Sequence, residues 1–161
     1  MPSLEIKIYP DPVLRKKAAP LQSVGNEERD LMRFMAETMY AGRGIGLAAP
    51  QLGISKRIIV ADAGEGLVKM VNPEITQDKE MASLEEGCLS LPGKFVDMQR
   101  AEKISVSYID ENNNRCVKSF SGLIARVIQH EGDHLNGKLI IDYLPWFKKM
   151  FPKKREAPCL Q

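Results

Sequence analysis

The segment His130-Glu131-Gly132-Asp133-His134 sets two imidazoles four residues apart, with a carboxylate directly after the first. On a helix, side chains at this spacing lie one above the other on a single face, so both rings can reach one metal ion. Glu131 sits one helical step round the same turn, placed to handle the proton of a metal-bound water. The pattern H-E-x-x-H fixes only three positions of five, so a solvated polar patch on a helix is the competing reading. These are the only two histidines in the chain, which counts against surface decoration.

Two other clusters carry chemistry. In Glu86-Gly87-Cys88-Leu89-Ser90, a Cys88 thiolate is a strong ligand for a borderline-soft divalent metal. Two His and one Cys would leave a fourth position open for water. Taken alone, Cys88 reads as a small buried core residue, the usual fate of a free cysteine. Cys116 falls in an expected hairpin and Cys159 in a proline-rich tail, and neither has comparable support as a ligand. The run from Gly44 through Ile45, Gly46 and Pro50 to Gln51 has glycines two apart, which let another backbone approach closely. No Lys-Ser/Thr follows and the spacing G-x-G-x-x-G is absent, so neither nucleotide fingerprint applies. Gln51 offers an amide donor for a developing oxyanion. A tight helix-to-strand turn explains the glycines equally well.

The elements that must position these groups can be read from pattern. Residues 123, 127, 130 and 134 recur at helical spacing between Gly122 and Gly137, so both histidines continue a buried stripe. Gly137 suits a left-handed helix end, and Gly132 inside the helix suits close packing at a cost of about 1 kcal/mol relative to Ala. Pro10, Pro12 and Pro20 bracket a short helical piece, Val13 to Ala18. Asn26 reads as the N-cap of an amphipathic helix ending at Gly42, whose Met residues fill core. Arg57 to Asp62 and Leu67 to Asn72 read as strands joined by the turn at Ala63 to Gly66. Ile104, Val106 and Tyr108 alternate with serines, and Arg115 to Ser121 returns after the turn Asp110 to Asn114. Strands in the middle with the histidine helix after them make an α+β layout.

At 161 residues, 43% hydrophobic and 27% charged, one domain with a real core is expected over residues 1–161. A net charge of +2 is too small to argue for DNA or membrane. The N-terminus lacks the pattern of a signal peptide, and no apolar run approaches the ~18 residues of a membrane span. Three cysteines at irregular spacing suggest reduced thiols, so a cytoplasmic protein is expected.

Together the three clusters resemble the peptide deformylase family, whose marks are G-φ-G-φ-A-A-x-Q, E-G-C-L-S and Q-H-E-x-D-H-L-x-G. They stand here as Gly44 to Gln51, Glu86 to Ser90 and Gln129 to Gly137, in that order with every fixed position filled. The resemblance spans nearly the whole chain. It implies antiparallel or mixed β-sheets packed around a central metal-binding helix, and removal of the formyl group from N-formylmethionine on newly made bacterial or organellar proteins. It assigns Cys88, His130 and His134 as metal ligands and Glu131 as general acid and base. The Gln51 side chain and the Leu89 backbone N–H would bind the oxyanion. Backbone around Ile45, Gly46 and Gly87 would pair with the extended peptide, and Glu86, Leu123, Arg126, Val127 and His130 would line the methionine pocket. Fe(II) is the implied physiological ion, with Zn(II), Ni(II) or Co(II) able to replace it.

Arg126 falls where many bacterial relatives carry an aliphatic residue. Its stem could cover the methionine thioether while its head reaches solvent. The tail from about residue 146 to 161 is basic and aromatic. It reads as a short helix packing aromatics on the core, or as a foothold for transient ribosome contact. Pro145, Pro152 and Pro158 argue against the long terminal helix with which some bacterial relatives dock there. Two alternatives to the deformylase reading are an H-E-x-x-H zinc peptidase, which usually takes its third ligand downstream, and a metal-binding relative without catalysis.

Overall fold

Antiparallel pairing organises most of the chain between residues 46 and 121. The computed structural model describes residues 4–145 and the backbone of 153–154. Strands β1 (Gly46–Ala48), β2 (Ile58–Ala61) and β3 (Val68–Gln77) come first, followed by β4 (Met81–Glu86), β5 (Lys94–Ala101), β6 (Lys103–Ile109) and β7 (Arg115–Ser121). One sheet has the order β1-β2-β3-β6-β7; β4 and β5 form a second with β8 (Lys153–Lys154). All these pairings are antiparallel.

The two expected hairpins are present. Asp62 Oδ1 accepts from Gly64 N (2.9 Å) in the first turn, and Asp110 Oδ1 accepts from Asn112 N (2.8 Å) and Asn114 N (2.9 Å) in the second. Strand β3 runs past the expected end at Asn72 because its outer half pairs with β6 across a register shift between Val71 and Glu74. Pro73 inside that shift has no N–H to give the ladder. Asn72, at φ 51°, turns its side chain to hydrogen-bond both backbone groups of Leu21.

Two α-helices pack on the larger sheet: α1 (Asn26–Ala41) and α2 (Leu123–Leu135). The cap of α1 is Gly25 rather than Asn26, since Glu28 reaches back to accept from Gly25 N at 2.9 Å. The expected helix from Val13 to Ala18 is instead a single 3-10 turn, Pro12–Arg15, because Lys16 turns to extended backbone (φ −80°, ψ 143°). Strand alternation sorts the core. Ile58 and Val60 of β2 join Met32, Met35 and Met39 of α1, while Ile59 and Ala61 join Ala125, Val127 and Ile128 of α2. Each of those methionines is fully buried, worth roughly 1.5–3 kcal/mol. A third cluster, of Leu14, Cys88, Leu91, Val96, Met98, Leu139 and Ile140, lies under the smaller sheet.

Helix α2 is thus central, touching β1, β2, β3, β5 and β7. Its length is set by Gly122 (φ 70°) and Gly137 (φ 72°), as the glycine spacing suggests. Gly132 is where Ile75 approaches, its Cδ1 only 2.9 Å from where a Cβ would stand. Lys153 and Lys154 are strand rather than part of a terminal helix; the rest of the expected basic helix lies outside the described residues.

Candidate metal centre and active site

The site is built where the end of β4 meets α2. Cys88 sits in the turn after β4, closed by a Leu91 N to Cys88 O bond of 3.0 Å, and is fully buried. His130 and His134 rise from α2 with ring centroids 5.1 Å apart. One ligand atom from each of the three residues lies within 4.8 Å of the others, and Cys88 Sγ stands 3.4 Å from His134 Nε2. His130 Nδ1 lies 2.9 Å from Glu86 Oε1. An ionised carboxylate only accepts, so Nδ1 donates to Glu86. His130 Nε2 is buried with no hydrogen bond among the described residues. Burial, reinforced by the positive charge of Arg100, holds His134 well below the ordinary imidazole value, in the neutral form a ligand needs. One thiolate and two neutral imidazoles fit a borderline-soft divalent ion.

Glu131 is fully buried on the same helix. A Cβ at Gly46 would stand 2.5 Å from Glu131 Oε1 and 2.6 Å from Val127 Cγ1, so only glycine lets β1 lie this close to α2. Gln51 follows β1 in a 3-10 turn, Ala49–Leu52. Its carbonyl accepts from Ala48 N at 2.9 Å, which leaves its amide facing Ser90 Oγ (3.2 Å) and Cys88 Sγ (3.8 Å). Gln51 is therefore an oriented donor beside the ligand cluster. Leu89 is half-buried next to Cys88, and its side chain packs near Gly42. Ile45 and Gly46 lie on an edge of the larger sheet, and Gly87 is buried between Glu86 and Cys88.

Glu86 and Arg126 meet each other in a buried ion-pair network. Glu86 is 1% exposed, with Arg100 Nη2 on Oε1 (2.9 Å) and Arg126 Nη1 on Oε2 (2.7 Å). The Arg126 head does not reach solvent: it is buried and also donates to Met98 O (3.1 Å) and Ala82 O (2.6 Å). A guanidinium so deep needs a carboxylate, and Glu86 supplies one. Arg100 also binds Asp133 Oδ2 at 2.7 Å, and Tyr143 Oη donates to the same oxygen at 2.7 Å. Burial alone would raise the Glu86 carboxyl, but the hydrogen bond to His130 and the Arg100 charge outweigh it and bring it down to about 2. Tyr143 is pushed up to about 12 by burial and by Asp133. Of the other expected pocket residues, Leu123 is exposed at the start of α2, and Val127 is buried against Gly46.

Sequence reading missed Arg100. Its signal is present in β5, where Val96, Met98 and Arg100 alternate inward against Asp97 and Gln99, and an arginine at an inward strand position announces a buried ion pair.

Comparison with known proteins agrees with this fold. The family model described as polypeptide deformylase matches residues 3–150. The chain is 44% identical to a peptide deformylase of Thermodesulfovibrio yellowstonii, covering 96% of this chain and 97% of that one. The crystal structure of peptide deformylase from Thermotoga maritima superposes with a TM-score of 0.86 at 44% identity, covering 90% and 99% of the two chains. That from Ehrlichia chaffeensis in complex with actinonin gives 0.90 at 40% identity, covering 94% of each.

Proposed function

The chain belongs to the polypeptide deformylase family, and on that footing we propose that Cys88, His130 and His134 hold its metal while Glu131 and Gln51 act on the formyl group. The activity is metal-dependent hydrolysis of the N-formyl amide of formylmethionine on nascent chains, releasing formate. The observation that carries the residue assignment is the convergence of three donor atoms within 4.8 Å, with Glu131 on the same helix. A Cys ligand upstream of the helix also counts against a peptidase of the H-E-x-x-H class.

When bound, the metal supplies Lewis acidity and a water made acidic enough to attack at neutral pH. Gln51, its carbonyl fixed by Ala48 N–H, donates its amide to the formyl oxygen as negative charge gathers there, with the Leu89 N–H as second donor. Glu131 accepts the proton of the attacking water and passes it to the amine nitrogen as the C–N bond breaks. Formate and a free α-amine leave. Backbone at Ile45 and at Gly46, where the edge strand β1 begins, together with Gly87 pairs with the extended peptide as an added strand. Leu123 and Val127 take the methionine side chain. Leu84 joins them, because alternation along β4 puts it on the face of Glu86 and it is 44% exposed.

The donor set suits Fe(II), Zn(II), Ni(II) and Co(II) alike; Fe(II) is the ion we assign as physiological. The whole chain acts as one catalytic domain in a bacterial-type cytoplasm or an organelle. No helix among the described residues is long and apolar enough to cross a membrane. Assaying formyl-Met-Ala-Ser beside acetyl-Met-Ala-Ser and a peptide with only internal amide bonds tests the reading. Only the formyl peptide should turn over; cleavage of the internal bond would favour the peptidase.

A further inference from the structure

Arg126 sits one helical turn before His130 and makes no use of solvent, although its neighbours Leu123 and Val127 belong to the proposed methionine pocket. Its guanidinium reaches from α2 to two strands. It holds Glu86 at the end of β4, the carbonyl of Ala82 within β4 and the carbonyl of Met98 on β5. Glu86 in turn holds His130 Nδ1, and Cys88 follows Glu86 by two residues. The two sources of metal ligand, the β4 end and α2, are therefore joined through one carboxylate gripped from both sides by Arg126 and Arg100. A histidine ligand whose other nitrogen is fixed by a carboxylate keeps one tautomer and one ring angle, and removing such a partner commonly costs 10- to 100-fold in metal affinity or activity.

We propose that Arg126 is a positioning residue for the metal ligands rather than a wall of the methionine pocket. It acts on His130 through Glu86 and holds the Cys88 turn to α2. The proposal rests on Cys88, His130 and His134 being the ligands. It separates cleanly from a pocket role, since a pocket residue changes discrimination among side chains while a positioning residue changes metal retention for every substrate alike.

The test uses zinc-loaded full-length protein and follows zinc transfer to a chromophoric chelator in wild type, Arg126→Met, Arg126→Lys, Glu86→Gln and the Glu86→Gln/Arg126→Met pair. We expect Arg126→Met to release zinc about 10- to 100-fold faster than wild type. Arg126→Lys should recover only part of the loss, because a point-charge ammonium cannot serve three acceptors in a fixed plane. The double variant should be no faster than the more affected single variant, as for two residues acting through one contact. The ratio of kcat/KM for formyl-Met and formyl-norleucine peptides should stay within about twofold of wild type in every variant. Should Arg126→Met not fold, Arg126→Lys and Glu86→Gln carry the same comparison. Zinc release at the wild-type rate from the Arg126 variants, additive effects in the pair, or an altered side-chain ratio would each overturn the proposal. Loss of the underlying ligand reading shows separately, as one-to-one zinc binding that survives Cys88→Ala at the wild-type release rate.

Discussion

Glu86 takes hydrogen bonds from His130, Arg100 and Arg126 at once. Its folded value of about 2 lies below the ordinary 4.5, so the stability it lends is fully present above pH 4.5 and is lost as pH falls toward 2. The difference is worth roughly 3 kcal/mol in a site this buried. Urea unfolding of wild type and Glu86→Gln from pH 6 down to pH 3 should show the gap between them narrow by roughly 2 kcal/mol. A gap that stays constant would mean that the fold does not depress the Glu86 carboxyl, and a gap that changes in the opposite direction would mean that Glu86 is held neutral. Single residues are also where the sequence was least informative about orientation. The residue type and the resemblance send the Arg126 head to solvent, whereas its direction is settled by a carboxylate and two carbonyls on strands 28 to 44 residues away. No local pattern encodes that choice.

At the scale of elements, α2 and its approach to β1 control the geometry. The Cβ of Gly46→Ala would meet Glu131 Oε1 and Val127 Cγ1, so both side chains must move to admit it. Overpacking of this kind costs about 1–3 kcal/mol, and a displacement of Glu131 by about 1 Å can cost on the order of 100-fold in turnover. Steady-state kinetics beside thermal unfolding should find kcat lowered at least tenfold in Gly46→Ala. Gly137→Ala is the matched control: its Cβ would strike the Arg15 carbonyl at φ 72°, far from Glu131 along the helix. That variant should lose stability and keep kcat within about threefold. A lost kcat in the second with none lost in the first would reverse the assignment.

The parts of this arrangement visible in sequence were those written locally. Helix α2 followed from its stripe and flanking glycines, and the two hairpins from Asp-rich or Gly-rich turns. Strands β4 and β5 were not delimited beforehand, since their burial is irregular, with Met81 and Leu84 exposed and Arg100 buried. The cap at Gly25 was missed because its bond comes from Glu28, three residues on. The three motifs located the candidate metal and oxyanion residues because cysteine, histidine and glutamine carry their chemistry in residue type. The methionine pocket was less legible, since an apolar or long side chain there can face several ways.

For the whole molecule, one ion would tie Cys88 beside the smaller sheet to α2 against the larger one. A ligand bound at a thousandfold over its Kd adds about 4 kcal/mol to stability. Chelation of the metal should therefore lower Tm by roughly 8–16 °C in a protein of this size. An unchanged Tm by calorimetry would argue that no ion joins the two parts. Enzyme loaded with Fe(II) or Ni(II) should outpace the Zn(II) form, with only the iron form decaying quickly in air as Cys88 becomes open to oxidation; equal rates from all three metals with no loss on aeration would favour a plain zinc enzyme. Removing residues 153–161 should abolish any salt-sensitive ribosome binding if the basic tail is the foothold. Binding unchanged at low salt would remove the tail from that role.

The most direct measurement is the turnover of formyl-Met-Ala-Ser by Glu131→Gln, made on protein whose metal content is determined in the same preparation. Glutamine keeps the size of the side chain and removes its proton acceptor, and a positioned general base contributes about 10²- to 10⁴-fold. We expect one metal ion per chain, as in wild type, with kcat lowered by that factor. Turnover within a few-fold of wild type, or an ion lost with the carboxylate, would contradict the division of labour between Glu131 and the Cys88, His130 and His134 ligands.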